Sequence, residues 1–147
     1  NLNQAYKRVK ANKGSPGIDG MTVNDFLEVS SDDKEQLIQS LLDGSYQPQP
    51  VRKVMIPKPS GGERQLGIPT VTDRIVQQAI LQVMEPIFDP GFSSSSFGFR
   101  PKRGAHGALK QAKHYVEKGH TWVVDMDLEK FFDQAKPLRG NLITPWH

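Results

Sequence analysis

Cysteine is missing from this 147-residue chain. Its absence excludes disulfides and thiolate metal sites, and it fits a reducing compartment. No apolar run is long enough to cross a membrane, and no secretory signal pattern is present. A cytoplasmic protein with no membrane partner is therefore expected. Internal repeats and heptads are absent too. The first residue is Asn1, not Met, which suggests a chain cut or trimmed from something longer. Hydrophobic residues make up 36% of the chain, enough for a modest core in one domain or slightly more.

Charge is present but unevenly spread. The net charge is +3, yet the stretch from Arg52 to Lys118 holds eleven Lys/Arg against five Asp/Glu. A basic block of this kind fits a polyanionic partner, although a solvated charged surface would give the same composition.

Local patterns divide the chain into short elements. Leu2, Ala5, Tyr6 and Val9 lie at helical spacing over residues 2–11. Residues 13–20 carry three glycines and a proline, which forces a loop with special backbone angles. A weaker helical stretch follows Val23. The spacing then predicts a helix over 32–43, with Leu37, Ile38, Leu41 and Leu42 facing inward and Gly44 stopping it. Two runs of strand character, 51–57 and 64–68, flank a turn-rich connector and predict a β-hairpin. The clearest helix runs from Thr70 to Pro86, with Thr70 and Asp73 spaced as an N-terminal cap. Its apolar stripe runs from Val71 through Ile75, Val76, Ala79, Ile80 and Val83 to Ile87. After a loop over 89–104, a helix is expected from Ala105 to Glu117, with Ala108, Leu109, Ala112 and Val116 inward. Residues 121–127 read as a strand.

Three clusters carry chemistry. Lys58 and Arg64 flank the hairpin tip, where a point charge and a two-pronged donor can close over a triphosphate. Charged tips also simply keep hairpins soluble. In Phe97-Gly98-Phe99-Arg100-Pro101-Lys102-Arg103-Gly104, aromatic and basic residues alternate. Such runs stack bases and contact phosphates, or anchor a loop with the aromatics inside and the basics outside. Finally, Asp125 and Asp127 would share one face of a strand, forming a hard oxygen site for Mg²⁺ or Mn²⁺. An Asp-x-Asp pair alone is weak; Phe131-Phe132-Asp133 after it makes it more specific.

Taken in order, these segments resemble the N-terminal part of a bacterial group II intron reverse transcriptase, or maturase. Asn12 to Thr22 resembles that family's N-terminal extension motif. Ile56-Pro57-Lys58-Pro59, then Arg64 to Thr70 and on to Gln77, resemble its first fingers block. Ser96 to Pro101 resembles the second block, and Asp125 to Asp133 the first palm block. Four ordered blocks are far more specific than any one of them.

The resemblance implies an α+β fold: a helical fingers subdomain around a short antiparallel β-hairpin, plus the first strand of a reverse-transcriptase palm. It divides the chain into an extension motif (1–22), fingers (23–118), the start of the palm (119–133) and a non-matching tail (134–147). It implies RNA-directed DNA synthesis with Mg²⁺ or Mn²⁺. The partners would be an RNA template or intron RNA, a deoxynucleotide triphosphate (dNTP) and a DNA primer. Asp127 would be the catalytic metal-binding aspartate, with Asp125 in support. Lys58 and Arg64 would grip the nucleotide, assisted by the backbone near Leu128. One of Phe131 and Phe132, with Phe132 favoured, would be the steric gate against a 2′-hydroxyl. Lys13, Arg52, Lys53, Arg74, Arg100, Lys102 and Arg103 are the residues expected on RNA. The Tyr-x-Asp-Asp motif that supplies the other two carboxylates is not in the sequence, so the chain alone is expected to be inactive. A palm strand without its neighbours would leave an edge through which a homodimer could form. The competing expectation is a non-catalytic RNA-binding module serving intron recognition or splicing. A sugar-nucleotide transferase is a third, remote reading.

Overall fold

The computed structural model describes residues 1–59 and 61–128. The chain divides into two compact units, Asn1–Pro90 and Gly91–His147. The first contains α1 (Leu2–Ala11), a 3₁₀ turn at Asp25–Leu27, α2 (Ser31–Leu42), β1 (Arg52–Pro57), β2 (Glu63–Ile68) and α3 (Val71–Phe88). The second contains α4 (Ala105–Glu117). The α+β class and the fingers-like hairpin are as expected.

The core of the first unit is small and lies where α1 crosses the first half of α3. Ala5, Val9, Val23, Val71, Ile75 and Ala79 are buried together, with Leu2, Tyr6, Met21 and Phe26 packed around them. The helical spacing of Ala5 and Val9 on α1 meets that of Val71, Ile75 and Ala79 on α3. The rings of Tyr6 and Phe26 stack with centroids 5.8 Å apart. Full burial of a valine or isoleucine, as at Val9, Val71 and Ile75, contributes roughly 1.5–3 kcal/mol each.

Helix α3 begins with a reciprocal cap. The Thr70 hydroxyl accepts the Asp73 N–H at 3.1 Å and donates to the Asp73 carboxylate at 2.6 Å. The helix runs past Pro86 to Phe88. Proline there costs only the bond to the Gln82 carbonyl in the last turns.

The burial expected along the helices is only partly found. Ile80, Val83 and Ile87 continue the α3 stripe but are exposed, as are Ile38 and Leu42 of α2. Several of these line an apolar hollow of about 490 Å³ between α2 and α3. On α4, Leu109 and Val116 are exposed as well, and no residue of that helix is fully buried. Periodicity marks an apolar face; it does not supply the surface that covers it.

Candidate nucleic-acid and nucleotide interface

The hairpin pairs antiparallel with Arg52 opposite Ile68, Val54 opposite Leu66 and Ile56 opposite Arg64. Arg64 therefore stands across from Ile56, and Lys58 begins the turn two residues further on. The turn closes through Lys58 N–H to Gly62 O (2.9 Å) and Gly61 N–H to Lys58 O (3.1 Å). Gly61 and Gly62 both have φ above +80°, where a Cβ would be strained. Lys58 and Arg64 thus share the tip, placed diagonally and not face to face. Both are exposed, and neither side chain has a hydrogen-bond or ion-pair partner among the described residues.

At the other end of the hairpin the arginine is committed. Arg52 Nε donates to the Pro16 carbonyl at 3.0 Å. Arg74, one turn into α3, donates through Nη2 to the Ser15 carbonyl at 2.8 Å and through Nε to Thr70 O at 3.4 Å. Two of the arginines expected on RNA therefore clamp the 13–20 loop. The glycines explain how closely that loop sits. A Cβ on Gly17 would lie 2.6 Å from the Thr70 Cα and 2.8 Å from its N, and one on Gly14 would meet the Arg74 guanidinium at 2.1 Å. Lys13, at the head of the loop, is exposed with φ +49°. Lys53 is exposed on the hairpin face opposite Arg52.

Behind this surface lies a network that sequence reasoning found only in part. Asp73 is buried, and besides Thr70 it accepts the Tyr46 hydroxyl (2.6 Å) and the Gln49 N–H (3.2 Å). The segment entering the hairpin is thereby tied to the helix leaving it. Burial first, and then the hydrogen bond to Asp73, push the Tyr46 phenol well above the usual tyrosine range. No local spacing could have shown this contact, since Tyr46 is 27 residues from Asp73.

In the second unit, Phe97-Gly98-Phe99-Arg100 does not sort into aromatics inside and basics outside. Phe97 is half-buried, its ring against the Gly107 position of α4. Phe99 is fully exposed. The arginines turn back onto their own loop. Arg100 donates to the Ser93 and Ser96 carbonyls (2.7 and 3.2 Å) and lies over the Phe92 ring at 5.4 Å. Arg103 donates to Ser94 and Ser96 and lies over Phe97 at 5.6 Å. Both arginines expected on RNA thus also strap the serine loop; Arg103 stays exposed, as does Lys102, which makes none of these bonds.

The carboxylate segment is the clearest departure. Residues 120–128 form no strand. A strand needs a hydrogen-bonded neighbour, and the one sheet among the described residues is the hairpin of the first unit. The strand edge through which self-association was expected is accordingly not formed there. Asp125 and Asp127 are exposed, and Asp127 Oδ1 accepts the N–H of Leu128 at 2.9 Å. The two carboxylates are hard oxygen donors that suit Mg²⁺ or Mn²⁺. Among the described residues no group of three or more acidic or His side chains completes a cation site. Phe131 and Phe132 lie outside the described residues. Among those described, no helix is long and apolar enough to cross a membrane.

Comparison with known proteins agrees with the order of these features. Residues 56–138, more than half of the chain, match the family model described as reverse transcriptase (RNA-dependent DNA polymerase). The chain is 41% identical to Protein YkfC of Escherichia coli over 138 residues, covering 90% of this chain and 36% of that protein. It is 42% identical to the group II intron-encoded protein LtrA of Lactococcus lactis over 132 residues, covering 88% of this chain and 21% of that protein. A 91 kDa protein in the cob intron of Schizosaccharomyces pombe is 36% identical over 129 residues, covering 88% of this chain and 16% of that protein. The chain therefore spans about a third or less of the length of these relatives.

Proposed function

Since the chain belongs to the reverse transcriptase (RNA-dependent DNA polymerase) family, we propose that it forms the template- and nucleotide-binding fingers of a group II intron-encoded enzyme, together with its first metal-binding aspartate. One observation carries this reading. The hairpin holds Lys58 and Arg64 at an exposed tip without internal partners, while the arginine at its base is fixed to the fold. Both side chains are therefore available to an anion, and together at one tip they offer two kinds of cationic donor. A triphosphate fits the combination of an ammonium and a guanidinium fork.

Asp127 is the residue for the metal, with Asp125 beside it in the sequence. A cation bound there would neutralise phosphate charge and activate the attacking hydroxyl. The protein's own contribution is to present the carboxylate, whose Oδ1 is oriented by the Leu128 N–H. Phe131 or Phe132 remains the proposed steric gate. RNA contacts are proposed for Lys13, Lys53 and Lys102, which are exposed, with Arg52, Arg74, Arg100 and Arg103 holding the loops that carry or adjoin them. The 147 residues contain no Tyr-x-Asp-Asp sequence, so by themselves they are proposed to bind substrates without polymerising them. The relatives' names place two of them in introns, which makes intron RNA the preferred RNA ligand.

The test is binding of a labelled single-stranded RNA across a salt series. Affinity is expected to fall steeply with salt, and primer extension with Mg²⁺ is expected to yield no cDNA. Salt-independent binding, or none, would refute the RNA assignment; Mg²⁺-dependent cDNA lost on Asp127→Ala would refute the inactivity.

A further inference from the structure

We propose that Phe99 is a stacking platform for one base of a single-stranded RNA, with Lys102 on the adjoining phosphate. The proposal rests on the RNA-binding reading above and adds a residue to it. Three observations carry it. First, the Phe99 ring is fully exposed and has no ring or cation partner among the described residues, whereas Phe92 and Phe97 in the same loop each have an arginine guanidinium over the ring. Second, Phe99 has φ +55° and Lys102 φ +57°. Both sit in tight turns at positions where glycine or asparagine is favoured, and any other side chain raises the energy of the loop. An exposed ring returns nothing to folding there, so the fold does not account for it. Third, the rest of the loop is built to hold still. Arg100 and Arg103 bind the carbonyls of Ser93, Ser94 and Ser96, the Arg103 N–H closes a turn on Arg100 O (3.3 Å), and Phe97 seats on α4 at Gly107.

A rigid loop presenting one aromatic face and one ammonium has the chemistry of a base and its phosphate. Every base has a π-face, so such stacking tolerates sequence. A protein partner could also cover an exposed ring, but the three cations at positions 100, 102 and 103 and the lack of any Asp or Glu from Gly91 to Val116 favour a polyanion.

The test uses this chain and a fluorescently labelled oligouridylate of about ten nucleotides. Phe99→Gly is the informative variant, because glycine accepts the positive φ and removes only the ring. It is expected to weaken binding between about 5-fold and about 150-fold without lowering the melting temperature. Phe99→Tyr is expected to restore affinity, and Phe99→Leu is not. In Phe99→Trp, the added tryptophan emission is expected to be quenched by the RNA beyond the change in wild type. If wild type binds the RNA and Phe99→Gly binds it equally well, the inference fails and the RNA reading stands. If Phe99→Gly melts lower than wild type, the ring serves the fold and the inference fails. If wild type does not bind, both fail.

Discussion

Two loops of this molecule are held by arginines, and they are held differently. The 13–20 loop is clamped from outside, by Arg52 of β1 and Arg74 of α3, and its Gly17 lies buried against the backbone of Thr70. The 92–104 loop is strapped from within, by its own Arg100 and Arg103 on exposed serine carbonyls. In both, the guanidinium forks are taken by carbonyl oxygens. The exposed cations without such bonds are lysines: Lys13 in one, Lys102 beside the strapped but exposed Arg103 in the other, with Lys53 and Lys58 on the hairpin. A rigid planar fork suits fixed acceptors inside a fold, and a flexible ammonium suits a phosphate that arrives later. Arg64 at the hairpin tip is an exposed arginine without a partner among the described residues, and it is the one proposed for the nucleotide.

The first loop should be the harder to disturb and the costlier when disturbed. Gly17→Ala sets a methyl group into the Thr70 backbone, and the expected loss is about 1–3 kcal/mol in urea unfolding. An unchanged midpoint would show that the loop is not docked as described. Next comes the network under it. Tyr46→Phe removes one bond to buried Asp73, with an expected loss of about 1 kcal/mol at neutral pH. It also changes the pH profile. The phenol is pushed up in the folded state, so its stabilisation is present below the usual tyrosine value of about 10 and is lost as pH rises above it. The variant should lose that part of the alkaline decline. Smallest is the second loop. Arg103→Lys should change global stability by less than about 0.5 kcal/mol, yet it should speed proteolysis at the serines it straps.

How much of this was legible in the sequence follows the range of the interactions. The cap at Thr70 and Asp73, the hairpin, and the ends of α1, α2 and α4 depend on residues a few positions apart, and they were read closely. The roles of Arg52 and Arg74 were not, because their acceptors lie 36 and 59 residues away. Glycine carries the signal that spacing does not: Gly14 and Gly17 form turns and also mark where the Arg74 guanidinium and the Thr70 backbone approach. Burial failed where a second surface was assumed. Leu109, Val116, Ile80 and Val83 have the right spacing but no cover among the described residues. The strand expected at Asp125 and Asp127 failed for the same reason, since a strand is a property of a pair. At the site, Lys58 was placed correctly at the tip, but the register sets Arg64 across from Ile56 and not across from Lys58.

The central claim is that Lys58 and Arg64 serve a nucleotide while the other exposed cations serve RNA. Equilibrium binding of dATP with Mg²⁺ and of a single-stranded RNA, measured side by side for wild type and for Lys58→Ala/Arg64→Ala, tests it most directly. The expected result is loss of at least about 10-fold in nucleotide affinity, from two charge-assisted contacts, with RNA affinity and its salt dependence nearly unchanged. Equal weakening of RNA binding, with no separate effect on dATP, would contradict it and leave the hairpin as one more basic element of an RNA-binding surface.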